Sequence, residues 1–146
     1  MRIHLTDITP ENWAEAAQLQ VWEHQKHLAP PAVGLLARAY AWRKQRARVI
    51  AMVAEERLAG LMLVRDGADC YELITMLVDW RQQGKGVAQA ALTRLMNVLQ
   101  REGRFACVTA AVPAESEVAR HVLEKVGFNA AEGDAERMTR ALGAAA

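Results

Sequence analysis

A glycine-rich turn is the part of the sequence whose residue types and spacing most directly suggest chemistry. The turn follows an apolar stretch ending at Val78, precedes leucines at helical spacing, and reads Gln83-Gly84-Lys85-Gly86-Val87-Ala88. A turn from a strand into a helix N-terminus aims several unpaired backbone N–H groups at one point, where the helix dipole favours negative charge. Glycines keep side chains from holding an anion away from those groups. The turn therefore predicts a phosphate site.

Two glycines are also what an ordinary strand-to-helix connection needs, so this turn alone leaves both interpretations open. It is not a P-loop, because no Gly-Lys-Ser/Thr follows at the required spacing. The dinucleotide pattern GxGxxG also fails. The elements around the turn must decide between a binding site and a plain connection.

Hydrophobic periodicity predicts a strand, two helices, three strands, a helix, a strand, a helix and one or two final strands. Thr9-Pro10-Glu11 is typical of a helix start, with an N-cap, a proline at the first helical position and an early acid. Gly103 and Gly127 end the two later helices. The predicted strands cover residues 2–6, 49–54, 58–64, 71–78 and 105–112, and the helices include residues 35–42, 87–102 and 115–126.

Length and charge limit the classes of protein to consider. The 146 residues suffice for one domain, residues 1–146, with its own core. Eighteen basic residues against 17 acidic ones give a net charge of +1, which provides no global field for nucleic acid or an anionic membrane. No stretch approaches the roughly 20 apolar residues of a membrane span. We expect neither nucleic acid nor membrane as a partner.

Cysteines and histidines give no sign of a metal or redox site. Cys70 and Cys107 lack ligand or redox-motif spacing, and one pair does not make a disulfide framework. Cys107 lies in an apolar strand and is expected to pack there. His24 and His27 are one helical turn apart without a visible third ligand, so no metal is expected. The expected location is a reducing cytoplasm.

Two motifs in order resemble the GCN5-related N-acetyltransferases (GNAT). The stretch 78–88 is similar to the core of that family, whose signature Gln/Arg-x-x-Gly-x-Gly/Ala is filled here by Gln83, Gly86 and Ala88. The stretch 118–128 is similar to the late helix that the family ends with a Gly-Phe pair, here Gly127-Phe128. The opening, residues 8–13, resembles the polyamine (spermine and spermidine) acetyltransferase-like branch.

The resemblance implies an α/β (α+β) GNAT fold. Its sheet is mixed and mostly antiparallel, has six or seven strands splayed between strands 4 and 5, and is flanked by about four helices. Acetyl-coenzyme A is the implied co-substrate. Its pantetheine arm is expected beside Met76, Leu77 and Val78, with an N–H near Leu77 or Val78 polarising the thioester carbonyl in the manner of an oxyanion hole. The remaining implied cofactor contacts are Gln83, Gly84, Lys85, Gly86, Val87, Ala88 and Gln89 at the pyrophosphate, with Ser116 where the family often has an asparagine.

Acetyl transfer to an amine needs a base, because only the neutral amine attacks and a lysine-like amine has a pKa of about 10.4. Glu72 is the predicted general base, since it lies six residues before Val78, where histone-type members carry their glutamate. Strand alternation places Glu72 on one face with Ile74, Met76 and Val78. A solvated carboxylate at the start of a strand is the alternative interpretation.

The family often protonates the leaving thiolate with a tyrosine four residues before the glycine of the Gly-Phe pair, and this chain has Leu123 there. His121 is expected to face away from Leu123, because two residues along a helix turn about 200°. Tyr71, Tyr40 or a water molecule remain as substitutes. A thiol with a pKa of about 8.5 is already a fair leaving group, so slower chemistry is expected.

The sequence thus predicts an N-acetyltransferase that transfers acetyl directly to the primary amine of a polyamine-like small molecule or a peptide, within a ternary complex. The alternative is a non-catalytic acetyl-coenzyme A-binding regulator of a partner protein, which the missing tyrosine leaves open. Apolar helix faces not needed by the core would permit a homodimer.

Overall fold

The computed structural model describes residues 1–113 and 115–143, which form one sheet with helices on both faces. The strands are β1 (Ile3–Asp7), β2 (Arg48–Ala54), β3 (Arg57–Asp66), β4 (Tyr71–Val78), β5 (Cys107–Ala111), β6 (Asn129–Ala131) and β7 (Asp134–Ala141). The helices are α1 (Trp13–Ala17), α2 (Ala32–Ala41), α3 (Val87–Glu102) and α4 (Glu117–Lys125). Short 3₁₀ turns lie at Glu23–Gln25, Arg43–Gln45 and Trp80–Gln82.

The strands lie in the order β1-β2-β3-β4-β5-β7-β6, and β4 with β5 is the parallel pair among otherwise antiparallel neighbours in the described chain. A parallel pair needs a crossover, which α3 supplies. The predicted mixed, mostly antiparallel sheet of six or seven strands is confirmed, as are the four flanking helices within the described residues.

The two faces of the sheet carry separate hydrophobic cores. On one face, α3 presents buried residues at helical spacing to the sheet and to α4: Ala91, Leu92, Leu95, Met96 and Leu99. On the other, α1 and α2 contribute Ala16, Ala32 and Leu35, which pack against β2, β3 and β4. Burying a leucine fully contributes about 1.5–3 kcal/mol, so the two cores fix the sheet between its helical layers.

Strands β4 and β5 part soon after they meet. Three register pairs join them, ending with Leu73 and Ala110, while β4 runs on to Val78. A β-bulge coincides with this point, because Leu73 pairs with Val64 of β3 and Thr75 with Leu63, which leaves Ile74 between them. A bulge bends its strand and re-aims the side chains that follow. The predicted splay between strands 4 and 5 is therefore present, and it opens at the bulge.

The turn after β4 is held by Asp79, whose side chain is only 1% exposed. Its carboxylate accepts hydrogen bonds from the backbone N–H groups of Gln20 (3.1 Å) and Arg81 (3.1 Å) and from Arg81 Nε (2.8 Å). The Trp80 N–H donates in turn to the Gln20 carbonyl at 2.9 Å. These bonds fasten the chain after α1 to the end of β4.

Asp79 stays ionised despite its burial. Burial raises the pKa of this carboxyl. Hydrogen bonds from Arg81 and Gln20, together with the Arg81 charge, lower it by more than burial raises it, so the Asp79 pKa lies below its usual value. The sequence offered a signal here, because aspartate directly before a short helical turn is a preferred cap.

Cys70 and Cys107 form a disulfide, which corrects the expectation that the pair is unbonded and that Cys107 only packs. Each cysteine directly precedes a member of the first β4–β5 pair, Tyr71 with Val108, and the two Cα atoms are 4.8 Å apart. Sequence spacing alone did not show that two parallel strands bring them together. Disulfides are typical of oxidising compartments, so a reducing cytoplasm does not follow from the cysteines.

Within the described ranges, none of the helices combines the length and the apolar character that crossing a bilayer requires.

Replacing Asp79 with Asn should lower the free energy of unfolding by about 1–3 kcal/mol at pH 7, because charge-assisted hydrogen bonds are lost. A carboxyl whose folded pKa is depressed stabilises the fold above its unfolded pKa of about 3.9, and this stabilisation is lost as the pH falls through the folded pKa. Urea unfolding from pH 7 to pH 2.5 should therefore show the gap to wild type closing below about pH 4. The exposed Asp69→Asn is the matched control, and a gap that does not change with pH would contradict the role given to the Asp79 charge.

Replacing both cysteines with serine should lower the free energy of unfolding by about 4 kcal/mol, because the bond closes a long loop in the unfolded chain. The sequence separation of the two residues is 37. Thermal unfolding of Cys70→Ser/Cys107→Ser should match that of the wild type in excess reductant. A wild-type melting temperature that is the same with and without reductant would show that the disulfide does not form.

Candidate functional site

A cleft of about 1100 Å³ opens where β4 and β5 part. Four segments line it: the glycine turn with the start of α3, the unpaired part of β4, the chain between α1 and α2 with one residue of α2, and the end of β5 with α4 and β7. The cleft thus passes from one helical layer to the other through the gap in the sheet. Each segment is placed by elements that the two cores fix.

The glycine turn has the geometry expected of an anion site. Gly84 and Gly86 have φ angles of 78° and 80°, in the left-handed region that favours glycine, and Gly86 is the N-cap of α3. A Cβ at either position meets no atom within 4 Å, so the space in front of the turn is open. The first N–H groups of α3 have no partner within the helix, and the dipole of a 16-residue helix ends here. The turn can therefore hold a phosphate.

The unpaired edge of β4 supplies the second binding surface. Met76, Leu77 and Val78 line the cleft, together with Leu73, Ile74 and Thr75. Beyond Leu73 this edge has no β5 residue in register, and backbone groups at such an edge need water or a ligand as partner. An extended ligand carrying amide groups fits this edge, because it can continue the sheet where β5 has turned away.

The side chain of Gln83 connects the glycine turn to two other segments by hydrogen bonds. Its Nε2 donates to the Val78 carbonyl (2.9 Å) and to Gln25 Oε1 (2.8 Å), and Gln25 Nε2 donates back to Gln83 Oε1 (3.1 Å). The glycine turn is thereby tied both to β4 and to the chain between α1 and α2. Sequence reasoning missed Gln25, because nothing local marks a glutamine whose partner lies 58 residues away.

Most predicted cofactor contacts meet in this cleft. The lining includes Gln83, Gly84, Gly86, Val87, Ala88, Gln89 and Ser116. Ser116 also caps α4, since its Oγ accepts from the Ala119 N–H at 3.3 Å. Lys85 is exposed on the turn but is not among the lining residues. Arg81, the cation four residues before Lys85, is bound to Asp79.

Glu72 does not reach the cleft lining. Its carboxylate lies 3.3 Å from Arg65 Nε and 3.9 Å from Arg137 Nη1, at the closed end of the β4–β5 pair. The predicted face was also wrong beyond Ile74. Ile74 packs on the α1/α2 core, but Met76 and Val78 pack on the α3/α4 core, because the bulge at Ile74 interrupts the alternation that the prediction assumed.

Neither of the two tyrosines named as substitutes for the missing one lines the cleft. Leu123 lines the cleft and is 1% exposed. The Tyr71 hydroxyl is buried, donating to the Leu99 carbonyl (3.1 Å) and accepting from the Arg104 N–H (3.0 Å). Tyr40 is 70% exposed and is not a lining residue. His121 was expected to face away from Leu123, and it is exposed, but it lines the same cleft.

Five charged residues that line the cleft were not predicted as site residues: Arg38, Glu115, Glu117, Lys125 and Glu136. Arg38 of α2 lines it from the α1/α2 side, and Glu136 of β7 lines it from the β5 side. Glu136 is placed by β7, since its carbonyl accepts from the Val112 N–H at 2.8 Å. Neither residue stands in a recognisable motif, so only the fold could reveal them. The described residues contain no group of three or more His, Cys, Asp or Glu side chains able to hold a metal.

Solved structures of acetyltransferases share this fold. The ribosomal-protein-S18-alanine N-acetyltransferase of Escherichia coli aligns with a TM-score of 0.74 at 19% identity, covering 99% of this chain and 97% of that one. A spermidine N-acetyltransferase from Vibrio cholerae, solved with CoA and spermine, aligns with a TM-score of 0.75 at 15% identity, covering 96% and 95%. The PaiA N-acetyltransferase of Thermoplasma acidophilum, solved with coenzyme A, aligns with a TM-score of 0.70 at 16% identity, covering 97% and 99%.

No curated protein sequence matches the chain. The family model described as "Acetyltransferase (GNAT) family" matches residues 6–128, a span that includes the glycine turn, the unpaired edge of β4 and the Gly-Phe pair at the end of α4. With the motifs, the splayed sheet and this match in agreement, the chain belongs to the GNAT acetyltransferase family.

Proposed function

We propose that this protein transfers an acetyl group from acetyl-coenzyme A to a primary amine of a small molecule or a peptide, by direct attack in a ternary complex. One observation carries the proposal. The glycine turn at the N-terminus of α3 and the unpaired edge of β4 face the same cleft, so one cavity offers a phosphate site next to an amide-binding edge. A pyrophosphate joined to a pantetheine arm has this combination of groups.

The residues present fit that co-substrate. The N–H groups from Gly84 to Gln89 would hold the pyrophosphate, and the edge of β4 from Ile74 to Val78 would pair with the pantetheine amides. Acetyl-coenzyme A supplies a thioester whose carbonyl is the electrophile. An N–H of this β4 segment would donate to that carbonyl oxygen, with Leu77 or Val78 as the donors proposed from the sequence. Two of the similar structures were solved with coenzyme A bound.

The amine must lose a proton to attack, and the cleft offers a carboxylate for this step. Glu136 lines the cleft, and its side chain makes no ion pair with any described residue. Glu72, the base predicted from the sequence, is instead held by Arg65 and Arg137 outside the lining. We therefore propose Glu136 as the group that accepts the proton, directly or through one water molecule.

The leaving sulfur is proposed to depart without a protein acid. Leu123 offers no proton, and the hydroxyl of Tyr71 is committed to Leu99 and Arg104. A thiol with a pKa of about 8.5 gives a thiolate that is stable enough to leave and then take its proton from water.

The lack of a protein acid also supports a second candidate function, a regulator that binds acetyl-coenzyme A without turning it over. Release of coenzyme A in the presence of an amine panel separates the two, since the regulator would be stabilised by the cofactor but show no release.

Replacing Gly86 with Glu should abolish coenzyme A binding, measured by isothermal titration calorimetry. The new carboxylate would stand in the open space before the N-terminus of α3 and repel the pyrophosphate. Gly133→Glu is the matched control, because Gly133 has a φ of 79° and open space around its Cβ but is not a lining residue. Both changes cost similar backbone strain, so normal affinity in Gly86→Glu would overturn the site model.

Replacing Glu136 with Gln should lower kcat/KM for the amine about 10²-fold or more at pH 7, because the proton acceptor is removed. The loss should shrink as the pH approaches the amine pKa of about 10.4, since solution then supplies the neutral amine. Glu72→Gln should keep the wild-type kcat/KM while lowering the melting temperature, since it loses its contacts to Arg65 and Arg137. The opposite result, a loss of this kind for Glu72→Gln alone, would support the assignment made from the sequence.

A further inference from the structure

Arg38 is a cation in the cleft that the transfer chemistry does not use. Arg38 of α2 is exposed at the cleft wall, and its side chain makes no hydrogen bond or ion pair with any residue in the described ranges. Other guanidinium groups of the sheet differ in this respect, because Arg65 and Arg137 contact Glu72 and Arg81 contacts Asp79. An unpaired arginine at the wall of a cleft is available to a ligand.

Arg38 is the charged residue among the described lining residues on the α1/α2 side of the cleft. The chain between α1 and α2 contributes Val21, Gln25, Leu28, Ala29 and Pro30 to that wall, and β4 contributes Ile74. These side chains are uncharged, so no carboxylate among the described lining residues on this side competes for the guanidinium. Arg38 is exposed, so an ion pair formed there would be stabilised mainly by the parallel hydrogen bonds that a guanidinium can donate.

The opposite wall carries carboxylates. Glu115 and Glu117 at the start of α4 and Glu136 on β7 line it, with Lys125 near the end of α4. A ligand that spans the cleft therefore meets a cation on the α2 side and mainly acids on the β5 side. A polyamine places positive charge at both ends, and one end would then lie against Arg38.

We propose that Arg38 binds a carboxylate of the acceptor, so that the acceptor class is an amine that also carries a carboxylate, such as an amino acid or the end of a peptide. The planar guanidinium binds a carboxylate through two parallel hydrogen bonds. The aliphatic part of the acceptor lies along Leu28, Pro30 and Ile74, and its amine lies toward Glu136. This inference rests on the proposed acetyl transfer and adds the acceptor class to it.

The test compares acceptors that differ in one charged group. Lysine and 6-aminohexanoate carry a carboxylate, whereas 1,5-diaminopentane and 1-aminohexane do not, and coenzyme A release reports turnover for all four. Wild type should use the carboxylated pair with kcat/KM at least about tenfold higher, the range expected for a hydrogen-bonded charge pair. Arg38→Gln should raise KM for the carboxylated pair by a similar factor, leave kcat and the affinity for coenzyme A unchanged, and abolish the preference, while Arg38→Lys should restore part of it.

Arg101→Gln is the matched control, because Arg101 is exposed near the end of α3 and outside the lining. Equal use of both acceptor pairs, or an Arg38→Gln variant with an unchanged KM, would overturn the inference. A weaker affinity for coenzyme A in that variant would overturn it too, by assigning Arg38 to the cofactor.

A binding measurement separates this failure from a failure of the proposed function. Hexanoate, which has no amine to acetylate, should bind the coenzyme A complex of wild type and bind the Arg38→Gln complex about tenfold more weakly, measured by calorimetry. If no amine is turned over but this difference is present, the acetyl-transfer proposal fails and the carboxylate site stands. If hexanoate binds neither protein, or binds both equally, the carboxylate site fails whatever the turnover.

Discussion

The parting of β4 and β5 after three register pairs is the constraint on which the rest of the structure depends. Two neighbouring strands that stop pairing leave backbone groups at their edges, and such groups are costly unless water or a ligand satisfies them. The fold supports this arrangement because β4 is held by β3 along its other edge and β5 by β7. The gap is thus an opening inside a sheet that is secured on both sides.

Three features keep the gap at one place. The disulfide between Cys70 and Cys107 joins the strands at the closed end, just before their first pair. The bulge at Ile74 bends β4 where the pairing stops. At the far end of β4, Asp79 fastens the chain to Gln20, so the strand cannot drift toward β5. A cleft fixed at both ends and at its middle is pre-organised, which reduces the cost of ordering it around a ligand.

The fold was predictable from the sequence because its signals are local. Gly103 and the alternation of apolar residues each act within a few positions, and the glycine turn combines a strand end with a helix start. The helix start predicted at Thr9-Pro10 was three residues early, since α1 begins at Trp13 with Asn12 as its N-cap. The cleft lining from β4 and the glycine turn was predictable for the same reason, since residues adjacent in sequence form it. The disulfide, the Gln25–Gln83 pair and the bulge were not, because each depends on which residues the topology brings together. The predicted face shared by Glu72, Met76 and Val78 was wrong for one reason, because a period of two was applied across the bulge at Ile74.

A net charge close to zero limits how this protein can recognise a charged partner. A chain with a net charge of +1 cannot attract a charged partner through its overall field, so recognition depends on charges that the fold leaves unpaired in one place. Most arginines near the sheet are neutralised in pairs, as Arg48 is by Glu102 at 2.7 Å and Arg104 by Asp66 at 2.9 Å. Arg38 and Glu136 are left facing the cleft from opposite walls. Glu115, Glu117 and Lys125 line the same cleft, so the potential inside depends on this whole set, with Arg38 as the cation on the α2 side.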